Sequence, residues 1–404
     1  MKKIRFIGVC IWMAVVSGLP TAAQTGDNLN RGLADLKQKK YRQAETLFTD
    51  MIRQQPDNIE IFMLRGEALF FQKDYDKALM DFYRVEQKKP GMASLWIART
   101  YSQTGDAEKA VRALEEHLKS SFRRPESEIK LDTLLLPLEN TSAWRALWKK
   151  NWYGHLEKGI SQARYEMKGG NPETALDGLS RLLNQYPDEV GLWALRGRAY
   201  LLAGDLRKAE QDINKALTLQ PEDTITLYSA AQLALKKGKY AESAGYLLKL
   251  YRKVPARFSL LLKSSDAWVQ DGRYKEAMKP LLEYMRYFPE DIEAVFRAGE
   301  VAGKMKDYRN ALKYLSIVVE KDPSTPVYFV ARADMYVRVH TYRYAVDDYA
   351  MALDLDPANG DIYFSRAQAY LKMGDTKNAC FDLRQALHYG KKEAVPYLQK
   401  YCGY

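Results

Sequence analysis

Histidine is scarce in this chain, and nothing gathers it. His117, His155, His340 and His388 lie far apart, and none belongs to an HxxH or HExxH arrangement. A zinc site therefore lacks its ligands, and no metal or cofactor is expected. Also missing are a G-x-S-x-G elbow, a phosphate-binding loop and a dinucleotide glycine motif. With no recognisable catalytic constellation, the chain reads as a non-enzyme with no small-molecule substrate. Beyond the first two dozen residues no stretch approaches the ~18 uninterrupted apolar residues that a spanning helix requires. Glycine and proline are modest at 24 and 15 residues, whereas tyrosine reaches 28. That balance excludes collagen-like and disordered classes.

Charge of one sign is not concentrated either. Lys2, Lys3 and Arg5 supply three of the net +11, leaving +8 for everything after residue 23. A basic balance can indicate nucleic acid or an anionic envelope surface. This one is dilute, and an exported chain meets little DNA or RNA, so no nucleic-acid partner is expected. Peripheral association with an envelope stays open.

What is present begins with a leader. "MKKIRFIGVCIWMAVVSGLPTAAQ" has a basic tip, an apolar run from Phe6 to Val16 and small residues at Thr21 and Ala23. This layout predicts a secretory signal peptide over 1–23, cleaved after Ala23, with an uncleaved anchor as the alternative. Cys10 lies inside the apolar run rather than after a small residue at its end, which argues against lipidation. The rest is expected to be exported: periplasmic, envelope-associated or secreted. At 404 residues and 47% hydrophobic, the chain is too long for one ordinary compact domain and is either multidomain or a repeat array.

The array is visible as a period. Pro187, Pro221, Pro255, Pro289, Pro323 and Pro357 are each 34 residues apart, as are Pro56 and Pro90. Twelve residues before these prolines stand Ala44, Ala78, Ala175, Ala209, Ser243, Ala277, Ala311 and Ala345, and Ala110 and Ala379 continue the column. Four residues after the column come Phe48, Phe82, Leu114, Leu179, Ile213, Leu247, Leu281, Leu315, Tyr349 and Leu383. That spacing puts each pair on one face of a helix, with alanine where two helices approach closely. Proline ends the helix because it lacks a backbone donor. Turn signals such as "KKGKY" and "QDGRY" separate this helix from an earlier one, so each unit is a helical hairpin.

These residues resemble the tetratricopeptide repeat (TPR) family. "VGLWALRGRAYLLAGDLRKAEQDINKALTLQP" is the fullest match, with Trp193, Gly197, Tyr200, Gly204, Ala209, Ala216 and Pro221 at the family's spacings. The resemblance implies an all-α superhelical solenoid of about ten hairpins whose first helices line a concave, polypeptide-binding surface. The repeats place an N-terminal array of three at 24–124, a C-terminal array of seven at 156–393 and a capping segment at 394–404.

Between the arrays, over 125–155, the period fails. His117 stands where other repeats have Ala216, Ala352 or Ala386, so no standard hairpin is expected to follow. Thr141 or Ser142 can cap a short helix. Trp144, Leu147, Trp148 and Trp152 then follow i, i+3, i+4 and i+8 spacing, which predicts one apolar face. Such a face would fill a nonstandard joint; an interfacial membrane helix or a partner site are the alternatives.

Cys380 and Cys402 are the only cysteines after the leader. If the last segment folds back as an antiparallel helix, the two come level, which allows a disulfide in an oxidising compartment. Two buried thiols are the alternative.

The resemblance also implies that the fifth and ninth residues of each repeat face the concavity. The fifth positions are almost all apolar, Tyr228, Phe296 and Phe364 among them. The ninth run from Arg99, Arg164 and Arg198 to Asp266, Glu300 and Asp334. An apolar floor with a basic-to-acidic gradient suits a segment of a partner polypeptide. No Lys or Asn occupies these positions, which argues against the chaperone-carboxylate clamp of one TPR subgroup. The functional expectation is a noncatalytic scaffold or adaptor of the cell envelope, with a chaperone-like periplasmic holder of secreted or outer-membrane chains as the alternative.

Overall fold

The computed structural model describes residues 22–403, so most of the expected leader lies outside the described residues. Ala23 falls in the first turn of the first helix, of which only the backbone is described. Among the described residues there is helix and turn and no strand. They divide into two compact units, the first ending at Leu260 and the second beginning at Leu261.

In the first unit three hairpins pair α1 (Ala22–Lys37) with α2 (Tyr41–Gln54), α3 (Ile59–Phe71) with α4 (Tyr75–Lys88) and α5 (Ser94–Gln103) with α6 (Ala107–Lys119). An irregular stretch follows: α7 (Glu126–Lys130), a 3-10 turn over Thr133–Leu138, and α8 (Ser142–Trp148). Hairpins resume with α9 (His155–Lys168) and α10 (Pro172–Gln185), α11 (Val190–Leu202) and α12 (Leu206–Leu219), α13 (Thr224–Lys236) and α14 (Tyr240–Lys253). The helix α15 (Ser259–Gln270) carries the unit boundary. In the second unit come α16 (Tyr274–Tyr287), α17 (Ile292–Lys304) with α18 (Tyr308–Lys321), α19 (Pro326–Arg338) with α20 (Tyr342–Leu355), and α21 (Gly360–Lys372) with α22 (Thr376–His388). A 3-10 turn, Lys392–Ala394, leads to α23 (Val395–Tyr401).

The period explains the packing. Every member of the alanine column, Ser243 included, is at most 1% exposed, and its partner four residues on is at most 6% exposed. The first helix of a hairpin comes close to that partner through a small residue. A Cβ at Gly66 would lie 2.5 Å from Cε1 of Phe82, so a larger side chain there would push the helices apart. The second helices start cleanly because Asp74, Asp106, Asp205, Asp307 and Asp375 each accept a hydrogen bond from the backbone N–H three residues on.

A second ladder joins the two helices of four hairpins. Arg65 pairs with Asp81, Arg196 with Asp212, Arg332 with Asp348 and Arg366 with Asp382, each through two hydrogen bonds of 2.7–2.9 Å. In three of them the remaining guanidinium nitrogen donates to a hydroxyl of the preceding hairpin, from Thr49, Ser180 or Ser316. The aspartates are 8% exposed or less in their side chains. Bidentate geometry satisfies charges that burial would otherwise leave costly.

The insert packs as core. Leu135, Leu138, Trp144 and Leu147 are buried in one cluster with Leu95, Leu114 and Leu118 of the third hairpin. Thr141 is the cap, its hydroxyl accepting from Trp144 N at 3.1 Å. The expectation for the tryptophans needs correction at one end. The helix stops at Trp148, so Trp152 does not continue its face; it lies beyond, where its indole N–H donates to the Leu147 carbonyl at 2.8 Å. A spacing rule holds only while the helix does. Trp144 is turned inward, 7% exposed, which removes it from any membrane-facing surface. The whole 125–155 segment lies inside the first unit.

At the other end α23 folds onto α22, and Cys380 and Cys402 form a disulfide with Cα atoms 5.7 Å apart.

Candidate functional site

The first unit encloses a concavity of about 1090 Å³. Its walls are the first helices of the hairpins, as repeat geometry implies, together with the insert and the 253–256 loop. Helices α1, α3 and α5 contribute large apolar side chains, among them Leu33, Met63, Leu95 and Trp96. The stretch 117–125 and helix α9 contribute Arg123, Arg124 and Arg164, and Phe122 and Ile160 lie among them. The concavity thus has apolar walls on one series of helices and cationic groups on the next.

Most of those cations are already neutralised. Arg99 donates to Asp132 at 2.7 Å and lies over the Trp96 ring. Arg123 pairs with Glu157 at 2.7 Å, and Arg124 with Glu128 at 3.5 Å. Arg164 is different: it makes no hydrogen bond or ion pair among the described residues. Burial pushes its guanidinium down from the ordinary value; Glu128 opposes this and Arg198 adds to it. Arg198, one repeat further on, lies over the Tyr228 ring and is likewise lowered by burial. These two are desolvated charges without an anion.

Glu67 and His117 also line the concavity, and neither stood out in the repeat pattern as part of a site. Burial pushes the Glu67 carboxyl up to about 7, against the pull of Arg99 and Lys37. His117 is 2% exposed, and its Nε2 accepts from Arg124 N at 3.0 Å. Burial pushes this imidazole down to about 4, so it is neutral and serves as an acceptor that turns the chain out of α6. Tyr153 completes the corner by donating to the Arg124 carbonyl at 2.6 Å.

The other expected groove residues lie elsewhere. Asp266 pairs with Arg297 at 3.0 Å. Phe296 packs against Tyr328 and Phe364 against Tyr397. Glu300 and Asp334 line a smaller hollow of about 380 Å³ in the second unit, with Lys304 and Arg338. Tyr349 donates to Asp334 at 2.5 Å. So Arg99 and Arg164 share one concavity with Arg198 at hand, whereas the acidic positions belong to the second unit and are partly engaged within it. Among the described residues no cluster of His, Cys, Asp and Glu could hold a metal ion.

Profiles of the tetratricopeptide repeat match residues 29–93, 160–224 and 228–292, and related profiles of the same repeat match 293–325 and 360–388. The chain is 22% identical over 295 residues to Superkiller complex protein 3 of Mus musculus, a match covering 59% of this chain and 18% of that protein. It therefore spans less than a fifth of that relative. Among solved structures it is similar to the C-terminal part of a TPR repeat-containing protein from Cytophaga hutchinsonii, at 15% identity and TM-score 0.51. That likeness covers 58% of this chain and 98% of the other. A tetratricopeptide repeat protein from Parabacteroides merdae is similar at 17% identity and TM-score 0.42, covering 61% of this chain and 97% of the other.

Proposed function

Because the chain belongs to the tetratricopeptide repeat family, whose arrays are protein-interaction scaffolds, we propose that it is a noncatalytic adaptor that holds a partner polypeptide in the concavity of its first unit. The observation that carries this reading is Arg164, a desolvated cation without an ion pair among the described residues, on the cationic side of a concavity whose other walls are apolar. An isolated folded chain gains nothing from such a charge, whereas a partner bringing an anion and apolar surface would satisfy both. The setting we propose is the cell envelope, the leader over 1–23 delivering the chain there.

Ser161 lines the same concavity, and replacing it by tryptophan places an indole in the space without touching a charge. The reading predicts that tagged wild-type protein recovers a defined, stoichiometric partner from the envelope fraction. Ser161→Trp, with an unchanged thermal transition, should lose it. Equal recovery by both would sink the proposal. The apolar walls also fit a second reading, a holder of unfolded exported chains. Salt-sensitive capture of many unrelated denatured proteins, in place of one partner, would favour that.

A further inference from the structure

The concavity also constrains the form of what fills it. Its walls are mainly helices, whose backbone N–H and C=O groups are already engaged within the helices. No asparagine, glutamine or aspartate is among the side chains that line it. An extended peptide entering such a space would bring a regular row of backbone donors and acceptors, and the lining offers it no strand edge or amide side chain, only Lys, Arg, Glu, Ser, Thr, Tyr and His groups at scattered points, with a cost for each group left unmade. An α-helix brings its backbone already satisfied.

Size points the same way. Two turns of helix, about 11 Å long and 10–12 Å across with side chains, occupy on the order of 1000 Å³. The concavity holds about 1090 Å³.

Charge supplies the orientation. Arg164 and Arg198 lack an anion, while Arg99, Arg123 and Arg124 already have theirs. Lys37, Lys39 and Lys89, which also line the space, are exposed and reinforce the positive sign. Glu157 is held by Arg123, and the remaining carboxyls of the lining, Glu60 and Glu67, are both raised by burial, Glu67 to about 7, which weakens their opposition near neutrality.

We propose that the concavity of the first unit takes about two turns of an amphipathic partner helix, its apolar face on Leu33, Met63, Leu95 and Trp96 and a carboxylate against Arg164 and Arg198. This rests on the proposed function and narrows it to one class of partner.

The probe is a lactam-stapled 14-residue peptide with leucines at i, i+3, i+4 and i+7 and two glutamates in the following turn. It is compared with three relatives: lysine in place of both glutamates, proline at the centre without the staple, and palmitate as a competitor. Fluorescence anisotropy on the full chain should show saturable binding of the stapled acidic peptide. The lysine and proline peptides should bind roughly 10- to 100-fold more weakly, the range expected for losing charge-assisted hydrogen bonds. Arg164→Glu with Arg198→Glu should reverse the charge preference, and the milder Arg164→Gln with Arg198→Gln should abolish it while retaining the helical signal. Equal binding of the proline peptide would mean an extended occupant, and Arg-dependent displacement by palmitate would mean an anionic amphiphile; either overturns the proposal. If no peptide binds while Ser161→Trp still loses the natural partner, the helix is wrong and the adaptor reading stands. If Ser161→Trp keeps the partner, the adaptor reading itself fails.

Discussion

Glu67 and His117 pull stability in opposite directions as pH changes. The Glu67 carboxyl, raised by burial to about 7, binds its proton more tightly folded than unfolded, so its contribution is full below about 4.5 and is lost as pH rises to 7. The His117 imidazole, depressed to about 4, is the reverse: its contribution is full above about 6.5 and is lost as pH falls toward 4. Glu67→Gln should therefore stabilise the first unit at pH 8 by about 2–3 kcal/mol and change little at pH 4. Denaturant titrations at the two pH values check this. An equal gain at both would mean that Glu67 acts through packing rather than charge. Neither residue was legible as part of a site, because both titrate abnormally through burial that only the folded concavity creates. The alanine column was legible since its cause, close helix approach, repeats with the chain.

At the scale of elements, the hairpin is held by more than its apolar stripe. Asp212→Leu leaves Arg196 buried without its partner and should cost about 3 kcal/mol, whereas Arg196→Met with Asp212→Leu should come back to within about 1 kcal/mol of the wild type. Additive losses in that double-mutant cycle would contradict the pairing. The four Arg–Asp pairs recur 16 residues apart in phase with the 34-residue period. As a charged column they are as legible in the sequence as the alanines. The tryptophan face holds in part: α8 is too short to carry Trp152 on its face, yet Trp148 and Trp152 both pack against the cluster that buries Trp144. At the C-terminal end, the Cys380–Cys402 disulfide closes a 22-residue separation, and Cys380→Ser with Cys402→Ser should lower stability by about 3 kcal/mol. Thiol labelling of the denatured, unreduced protein should find neither of them free; two labelled thiols would contradict the bond.

For the whole molecule, local pattern announces hairpins but not the concavity. Leu29 of α1 and Pro255 after α14 line one space although five whole hairpins lie between them. That meeting sums small rotations between successive hairpins, together with the insert's departure from the period, and no single repeat records the sum. The same reason separates the ninth positions, which form one gradient in sequence: Arg99 and Arg164 line the large concavity, while Glu300 and Asp334 line a hollow of the second unit. The adaptor reading stands or falls with a partner polypeptide held in the first unit's concavity. Photo-crosslinking in intact cells probes this from a residue analogue at position 161, inside the concavity, against one at position 80, where Met80 is 72% exposed and does not line it. A discrete polypeptide adduct is expected from position 161 and none of that mass from position 80. The same adduct from both, or none from position 161 in a folded protein, would contradict it.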